Sequence, residues 1–262
     1  MIKIPKKPSN KELINFFRKK KLTNILNKSK KNILTVNQLK SKEPYKPELL
    51  DLYIIFQLIK TNKRISCLEY GSGWSSLLIA LALNENEKQY KKEVSNLRRN
   101  YRFKNLIIDN EKKYLSITKK RIEQVDRNLL KHSDFIFSKC RVKFINYNYV
   151  TEFDYIPKIN PDFIYLDGPD QFNIIKSNDG FNIDSKDLTP MAADILKIEF
   201  FLNPGTIVLV DGRGANANYL KINLARNWRY KYLQEFDQHI FVLDEKPYGV
   251  ESKKILKFFR KK

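Results

Sequence analysis

Glu69, Gly71, Ser72, Gly73 and Ser75 fall within the stretch "LEYGSGWSS", which combines an acid, two glycines one residue apart and several small hydroxyls. It separates an apolar run from "LLIALAL", where a strand is predicted to become a helix. Two of the chain's eight glycines stand here. Glycine tolerates unusual backbone angles and carries no side chain, so a ligand can lie against the backbone where the helix amides begin. Carboxylates close three later apolar runs: Asp109 ends "NLIID", Asp167 ends "PDFIYLD" and Asp211 ends "GTIVLVD". Acids so placed suit proton removal or ligation of a cation.

The elements that position these residues follow from periodicity. "PELLDLYIIFQLIK" has helical apolar spacing and leads into a first strand, Arg64 to Glu69. A helix starting at Ser75 meets a polar break, "NENE", and an inserted basic helix covers Gln89 to Arg102. "NLIID", "RVKFIN", "PDFIYLD" and "GTIVLVD" are predicted as strands two to five, the third ending at Asn146. Helices are predicted in "EKKYLSITKKRIEQV", "DLTPMAADILKIEFFL" and "ANANYLKINLARNW", and the strands "RYKYLQEF" and "HIFVLDE" close the series across a tight turn.

This alternation predicts an α/β fold, an open, doubly wound, seven-stranded and mostly parallel sheet with one antiparallel strand. Residues 1–45 read as a basic helical arm outside the main core, 46–246 as the sheet domain and 247–262 as a basic tail. Ligands of such sheets bind beyond the carboxyl ends of the strands. The long segment Gly168 to Lys186 is placed to cover an acceptor there.

A dinucleotide fingerprint would need glycine or alanine where Ser76 stands, and an acid about 20 residues on, much nearer than Asp109. NAD is disfavoured. Glu69-x-Gly71-x-Gly73-x-Ser75 instead resembles the first motif of the class I S-adenosylmethionine (SAM)-dependent methyltransferases. "PDFIYLDGPD" and "LNPGTIVLVDG" resemble that family's fourth motif and fifth strand, and the likeness runs over roughly residues 47–245. The resemblance implies SAM as cofactor, with Glu69, Gly71, Ser72, Gly73 and Ser75 along its methionine part and Asp109 on its ribose. "LEYGSGWSS" together with "VDGRGANANYLK" is most similar to members associated with surface-glycan synthesis, which implies O-methylation of a sugar or other small hydroxylated acceptor.

Methyl transfer needs an aligned acceptor and, for a hydroxyl, a base. Asp167 is the best-placed carboxylate, and His239, in the turn "FDQH", is either a second base or a structural hydrogen-bonder. Asp167 and Asp211 either pair structurally or share a divalent cation, Mg or Mn, as in the family's metal-dependent O-methyltransferases. Arg213 either clamps an anionic acceptor group or makes a loop salt bridge.

The formal net charge of +21 invites a polyanion, nucleic acid or an anionic membrane surface. Lysine dominates the basic residues, and Lys, Asn, Ile, Phe and Tyr are all abundant, a bias that produces the charge without a partner. Two rival functions stay open: a nucleic-acid methyltransferase, disfavoured by "LDGP" in the fourth motif, and a non-catalytic SAM-fold protein held at an anionic membrane. The sequence "FFRKK" occurs at Phe16 to Lys20 and again at Phe258 to Lys262, as a membrane contact or as helix packing. Cys67 and Cys140 lie in apolar runs without metal-ligand spacing, and no secretory or membrane-spanning run is visible, so the expected location is cytoplasmic, with peripheral membrane contact an option.

Overall fold

In the computed structural model, which describes residues 2–30, 45–185 and 187–260, the chain begins with α1 (Asn10–Lys19), α2 (Thr23–Ser29) and α3 (Leu49–Thr61). There follow β1 (Ser66–Tyr70), α4 (Trp74–Val94), β2 (Lys104–Asp109), α5 (Lys112–Val125), β3 (Ser133–Phe137), β4 (Cys140–Ile145) and β5 (Asn148–Phe153). The last part comprises β6 (Phe163–Leu166), α6 (Asp194–Ile198), β7 (Ile207–Asp211), α7 (Gly214–Asn223), β8 (Trp228–Leu233), β9 (Gln238–Leu243) and α8 (Val250–Arg260).

Seven strands form one sheet in the order β3-β2-β1-β6-β7-β9-β8, parallel throughout except for β9, which runs antiparallel to both neighbours. This is the mixed α/β, mostly parallel sheet that the alternation predicts and that the family resemblance implies. Strand order reverses between β1 and β6, which places the ligand-binding crevice over their carboxyl ends. Residues alternate between faces, as strand geometry requires. Cys67, Phe163, Tyr165, Leu209 and Ile240 pack beneath α3 and α4, whereas Leu68, Leu166, Val208 and Phe241 pack on the side of α6 and α7.

Several expectations are corrected. "RVKFIN" is not the third strand of the sheet. It is β4, paired antiparallel with β5 in a separate hairpin, and "SDFIF" supplies β3 at the sheet edge. Asn146 therefore ends no sheet strand; with Tyr147 it makes the hairpin turn, both at positive φ. The "NENE" break does not interrupt α4, because buried Asn86 donates to Ile59 O (3.1 Å) and Arg64 O (2.8 Å) and so locks the helix to the α3–β1 turn. No separate basic helix is inserted: α4 itself reaches Val94. The helix expected over "DLTPMAADILKIEFFL" is only α6 and a following 3₁₀ turn.

The N-terminal residues are no arm outside the core. Leu13, Phe17, Leu22 and Ile25 are buried in the same cluster as Leu52, Phe56 and Leu83, and Phe16 meets Phe56 edge-on at 5.1 Å. The part of this expectation that concerns residues 31–44 lies outside the described residues. The C-terminal segment forms α8, whose Ile255 and Phe258 pack on Ile65, Val94 and Phe103. The described part of each "FFRKK" copy thus has apolar residues packed on the core. Phe17→Ala should cost about 3–4 kcal/mol of unfolding free energy, since it empties a fully buried site; urea denaturation checks this, and a loss under 1 kcal/mol would mean that the N-terminal helices are peripheral.

Candidate functional site

β1 ends where two backbones meet. Gly71 has φ +93°, and a Cβ built on it would lie 2.8 Å from Gly168 N; a Cβ on Gly168 would lie 2.5 Å from Gly71 N. Asp167 N donates to Tyr70 O at 3.0 Å, Gly168 N donates to the same oxygen at 2.6 Å, and Gly71 N donates to Ile108 O at 2.8 Å. The missing side chain of Gly71 therefore serves the close approach of β1 and the β6 turn. Gly73 differs: a Cβ there would meet only Ser75 Oγ, at 3.8 Å, so open space lies beside the backbone at the start of α4.

The loop's hydroxyls turn inward to two acids. Ser72 donates through its N–H (2.8 Å) and its hydroxyl (2.5 Å) to Asp109 Oδ2, and Glu111 N donates to Asp109 Oδ1 at 2.8 Å. Buried Glu69 accepts from Ser75 Oγ (2.6 Å) and Asn105 Nδ2 (2.7 Å), joining β1, β2 and α4. Burial raises the Glu69 pKa to about 7 and that of Asp109 to about 6, despite these hydrogen bonds. Outside the loop, Trp74 donates to Tyr45 O at 3.2 Å, and the Arg121 guanidinium lies 3.6 Å from its ring centre.

Asp167 and Asp211 come together, as their placement at neighbouring strand ends predicts. Their carboxyl groups are within hydrogen-bond reach, and a third acid, Asp51 in the first turn of α3, stands close to Asp211. Asp167 keeps 44% of its side-chain surface accessible. Withdrawal from bulk water, and then Asp211, push its pKa well up; burial, and then Asp211 and Glu48, raise Asp51 to about 8. Buried Gln238, opposite Asp211 in the β7–β9 pairing, donates to Asp211 Oδ1 and lies near enough to Asp51 to oppose the rise of its pKa. Its own Oε1 has no partner.

Arg213 is engaged locally: it donates to Asp167 O and Pro169 O and lies 3.8 Å from Asp167 Oδ1. His239 does not join the acids. It stands opposite Val210, on the other face of the sheet from Asp211 and Gln238. Its ring stacks against Tyr232 at 4.7 Å between centres, and Nδ1 shares a 2.9 Å hydrogen bond with the Tyr230 hydroxyl. Burial lowers its pKa. The placement of His239 as a base beside Asp167 is corrected on this geometry.

The residues do not fit a divalent cation either. Asp211 is bonded by an amide N–H and Asp167 faces a guanidinium, and among the described residues no group of three His, Cys, Asp or Glu side chains is arranged to hold a metal ion. Gly73 leaves open backbone at the start of α4, beside a buried Asp109 whose oxygens accept from Ser72 and Glu111. The segment from Gly168, expected as a cover, is tied to the end of β2: Asn110 Nδ2 donates to Asp170 O (3.2 Å) and Asn173 O (2.9 Å). Lys186 lies outside the described residues. Asp51 and Gln238 are the site residues that motif reading misses; a lone acid inside the apolar run "LLDLYIIF" is the available signal.

No family model matches the chain, and no curated protein does. Solved structures align over most of the chain at low identity, with TM-scores below 0.5. An O-methyltransferase from Bacillus cereus in complex with SAH is 12% identical over 91% of this chain and 92% of its own, with a TM-score of 0.39. A methyltransferase from Geobacter sulfurreducens is 8% identical over 86% and 96%, with a TM-score of 0.44. An O-methyltransferase of tomaymycin synthesis from Streptomyces achromogenes, in complex with SAM, is 10% identical over 92% of both chains, with a TM-score of 0.38.

The two glycines should separate on mutation. Gly71→Ala meets backbone at a positive φ and should destabilise by about 2–4 kcal/mol, whereas Gly73→Ala should stay within about 1 kcal/mol; urea unfolding of both variants measures the difference. The raised acids also set a pH dependence. A carboxyl that binds its proton more tightly when folded stabilises below its unfolded pKa near 4, and this contribution is lost as pH rises through the folded value, about 8 for Asp51. Stability should therefore fall between pH 5 and 8.5, and Asp51→Asn should recover on the order of 2 kcal/mol at pH 8.5. A flat profile in thermal unfolding would refute the acid cluster.

Proposed function

We propose that the chain is a SAM-dependent methyltransferase that O-methylates a sugar or another small hydroxylated acceptor. One observation carries the reading: at the carboxyl edge, the open backbone of Gly73 and the acid Asp109 lie next to the Asp51–Asp167–Asp211 cluster, with the Gly71–Gly168 contact joining the two halves.

When bound, SAM supplies an electrophilic methyl group for in-line displacement. The chain's residues then have separable tasks. Asp109 and the amides around Gly73 hold the cofactor, and Ser72, already bonded to Asp109, fixes the loop that presents it. Asp167 takes the proton of the acceptor hydroxyl. Burial and the neighbouring Asp211 raise the basicity of the Asp167 carboxylate, which strengthens it as a general base. Arg213, fixed on the Asp167–Pro169 backbone, holds the turn that aims Asp167.

Calorimetry with SAM and with its demethylated product tests the cofactor. Binding is expected, and Asp109→Ala should weaken it by about 1–3 kcal/mol through loss of charge-assisted hydrogen bonds. Absence of binding by the wild-type chain would overturn the reading. Asp167→Asn should leave SAM affinity intact while abolishing most turnover on a responsive hydroxylated acceptor, because the base acts only in the transition state. EDTA should leave that turnover unchanged.

A further inference from the structure

The opposite, amino-terminal edge of the sheet carries a surface that the proposed reaction does not use. The turn before β7, the last turn of α7 before β8 and the start of α8 after β9 lie there, and they expose large apolar side chains: Phe200 at 74%, Phe201 at 70%, Ile222 at 72% and Val250 at 71%. These are structurally connected. Glu199 accepts from Ala225 N (3.2 Å) and Arg226 N (2.8 Å), which ties the Phe200–Phe201 turn to the end of α7, and the Tyr248 hydroxyl donates to Asn203 Oδ1 at 2.7 Å, which ties it to the start of α8. Exposed apolar groups gathered in this way mark an interaction surface.

Cations border the apolar group. α8 turns Ile255, Leu256 and Phe258 into the core and exposes Lys253, Lys254, Lys257 and Arg260, against a single acid, Glu251. Beyond α8 lies a groove of about 570 Å³ lined by Lys3, Lys60, Lys63 and Arg260, with Glu93 as its one carboxylate. Lys60 and Lys63 converge on the same ring, with their ammonium groups 5.6 and 4.9 Å from the centre of Tyr90. In the cavity adjoining this groove, which shares Asn62, Phe259 and Arg260 with it, Arg64 is almost fully buried and its Nε has no partner. Like charges so gathered favour an anionic partner.

We infer that this amino-terminal edge docks on an anionic lipid membrane, Phe200, Phe201, Ile222 and Val250 entering the interface and the lysines of α8 and the groove facing lipid phosphates. A second copy of the chain is disfavoured as occupant, because it would bring one basic face against another. Nucleic acid is disfavoured because only Phe200 and Phe201 offer a π-face, and Ile222 and Val250 complete the patch with aliphatic groups that suit a lipid interface and not base stacking. Docking in this way turns the carboxyl edge away from the bilayer, so that, on the functional reading above, the acceptor is water-soluble.

Co-sedimentation of the full chain with vesicles tests the surface independently of any methyl transfer. Vesicles of phosphatidylcholine with one-third phosphatidylglycerol should bind the protein, and pure phosphatidylcholine should bind it far less. The double variant Phe200→Ser, Phe201→Ser should lose about tenfold in partitioning with an unchanged urea midpoint, and Lys253→Glu with Lys257→Glu should lose at least as much. The control pair Phe144→Ser, Tyr147→Ser removes aromatics that are also exposed, at 58% and 93%, but lie on the β4–β5 hairpin, and should change binding less than twofold. Failure of the wild type to bind anionic vesicles would overturn the proposal, as would full binding by the Phe200, Phe201 variant. A dimer in sedimentation that this variant makes monomeric would instead assign the face to self-association.

Discussion

The approach of Gly71 to Gly168 is the contact on which the carboxyl edge depends. Each backbone occupies the volume that the other's Cβ would fill, and three backbone hydrogen bonds hold the crossing in place. Its consequences propagate in both directions along the edge. Toward β2, it sets the path of residues 71–73, so that Ser72 reaches Asp109 and Gly73 is left bare. Toward β7, it starts the turn after β6 at a fixed point, and that point decides where the Asp167 carboxyl stands relative to Asp211. The Gly73–Asp109 side and the acid cluster are thereby held in one frame by main-chain contacts, which are stiffer than any pair of surface side chains.

Asp51 and Asp167 owe their raised basicity to position more than to identity. Asp51, Asp167 and Asp211 come from a helix start and two strand ends distant in the chain, and the sheet brings them together on the same face as Glu69 and Tyr165. Glu69 shows the contrast: two strong hydrogen bonds satisfy it, yet burial still holds its pKa near 7. In the cluster beside it, like-charge crowding adds to desolvation, and Gln238 can satisfy only some of the oxygens. The consequence is a folded state that loses stability on the alkaline side, the cost that commonly accompanies a functional site.

What could be read from the sequence follows the range of the interactions involved. Asp109, Asp167 and Asp211 were legible because apolar strands end in polar residues at the sheet rim, and alternation along the chain implied the parallel sheet. The third strand was not, because "SDFIF" and "RVKFIN" have similar local character and only tertiary contacts choose which one joins β2. The Asn146–Tyr147 turn was hidden for a related reason: Tyr147 occupies a positive-φ position where glycine is the usual signal. The side of His239 depends on a single residue of register in β9, since a shift by one exchanges it with Gln238. Asp51 resembled an ordinary acid at a helix start, where the helix dipole favours one anyway.

The two edges of the sheet have opposite electrical character, and their separation explains how a chain with a formal net charge of +21 retains poorly ionised carboxyls. A strongly positive surround should draw protons off acids. The cations of α8 and the basic groove, however, lie at the far end of the strands, and a five-residue strand such as β1 spans roughly 15 Å. Screening in physiological salt acts over about 8 Å. At that distance the basic edge contributes little to the acids, and their own burial and crowding prevail. Arg213 is the exception that fits the rule: only 3.8 Å from Asp167, it does lower the pKa of that carboxyl, but not enough to outweigh desolvation and Asp211. Each edge can therefore hold its own charge state, the acidic one set by contacts within the crevice and the basic one by whatever meets α8.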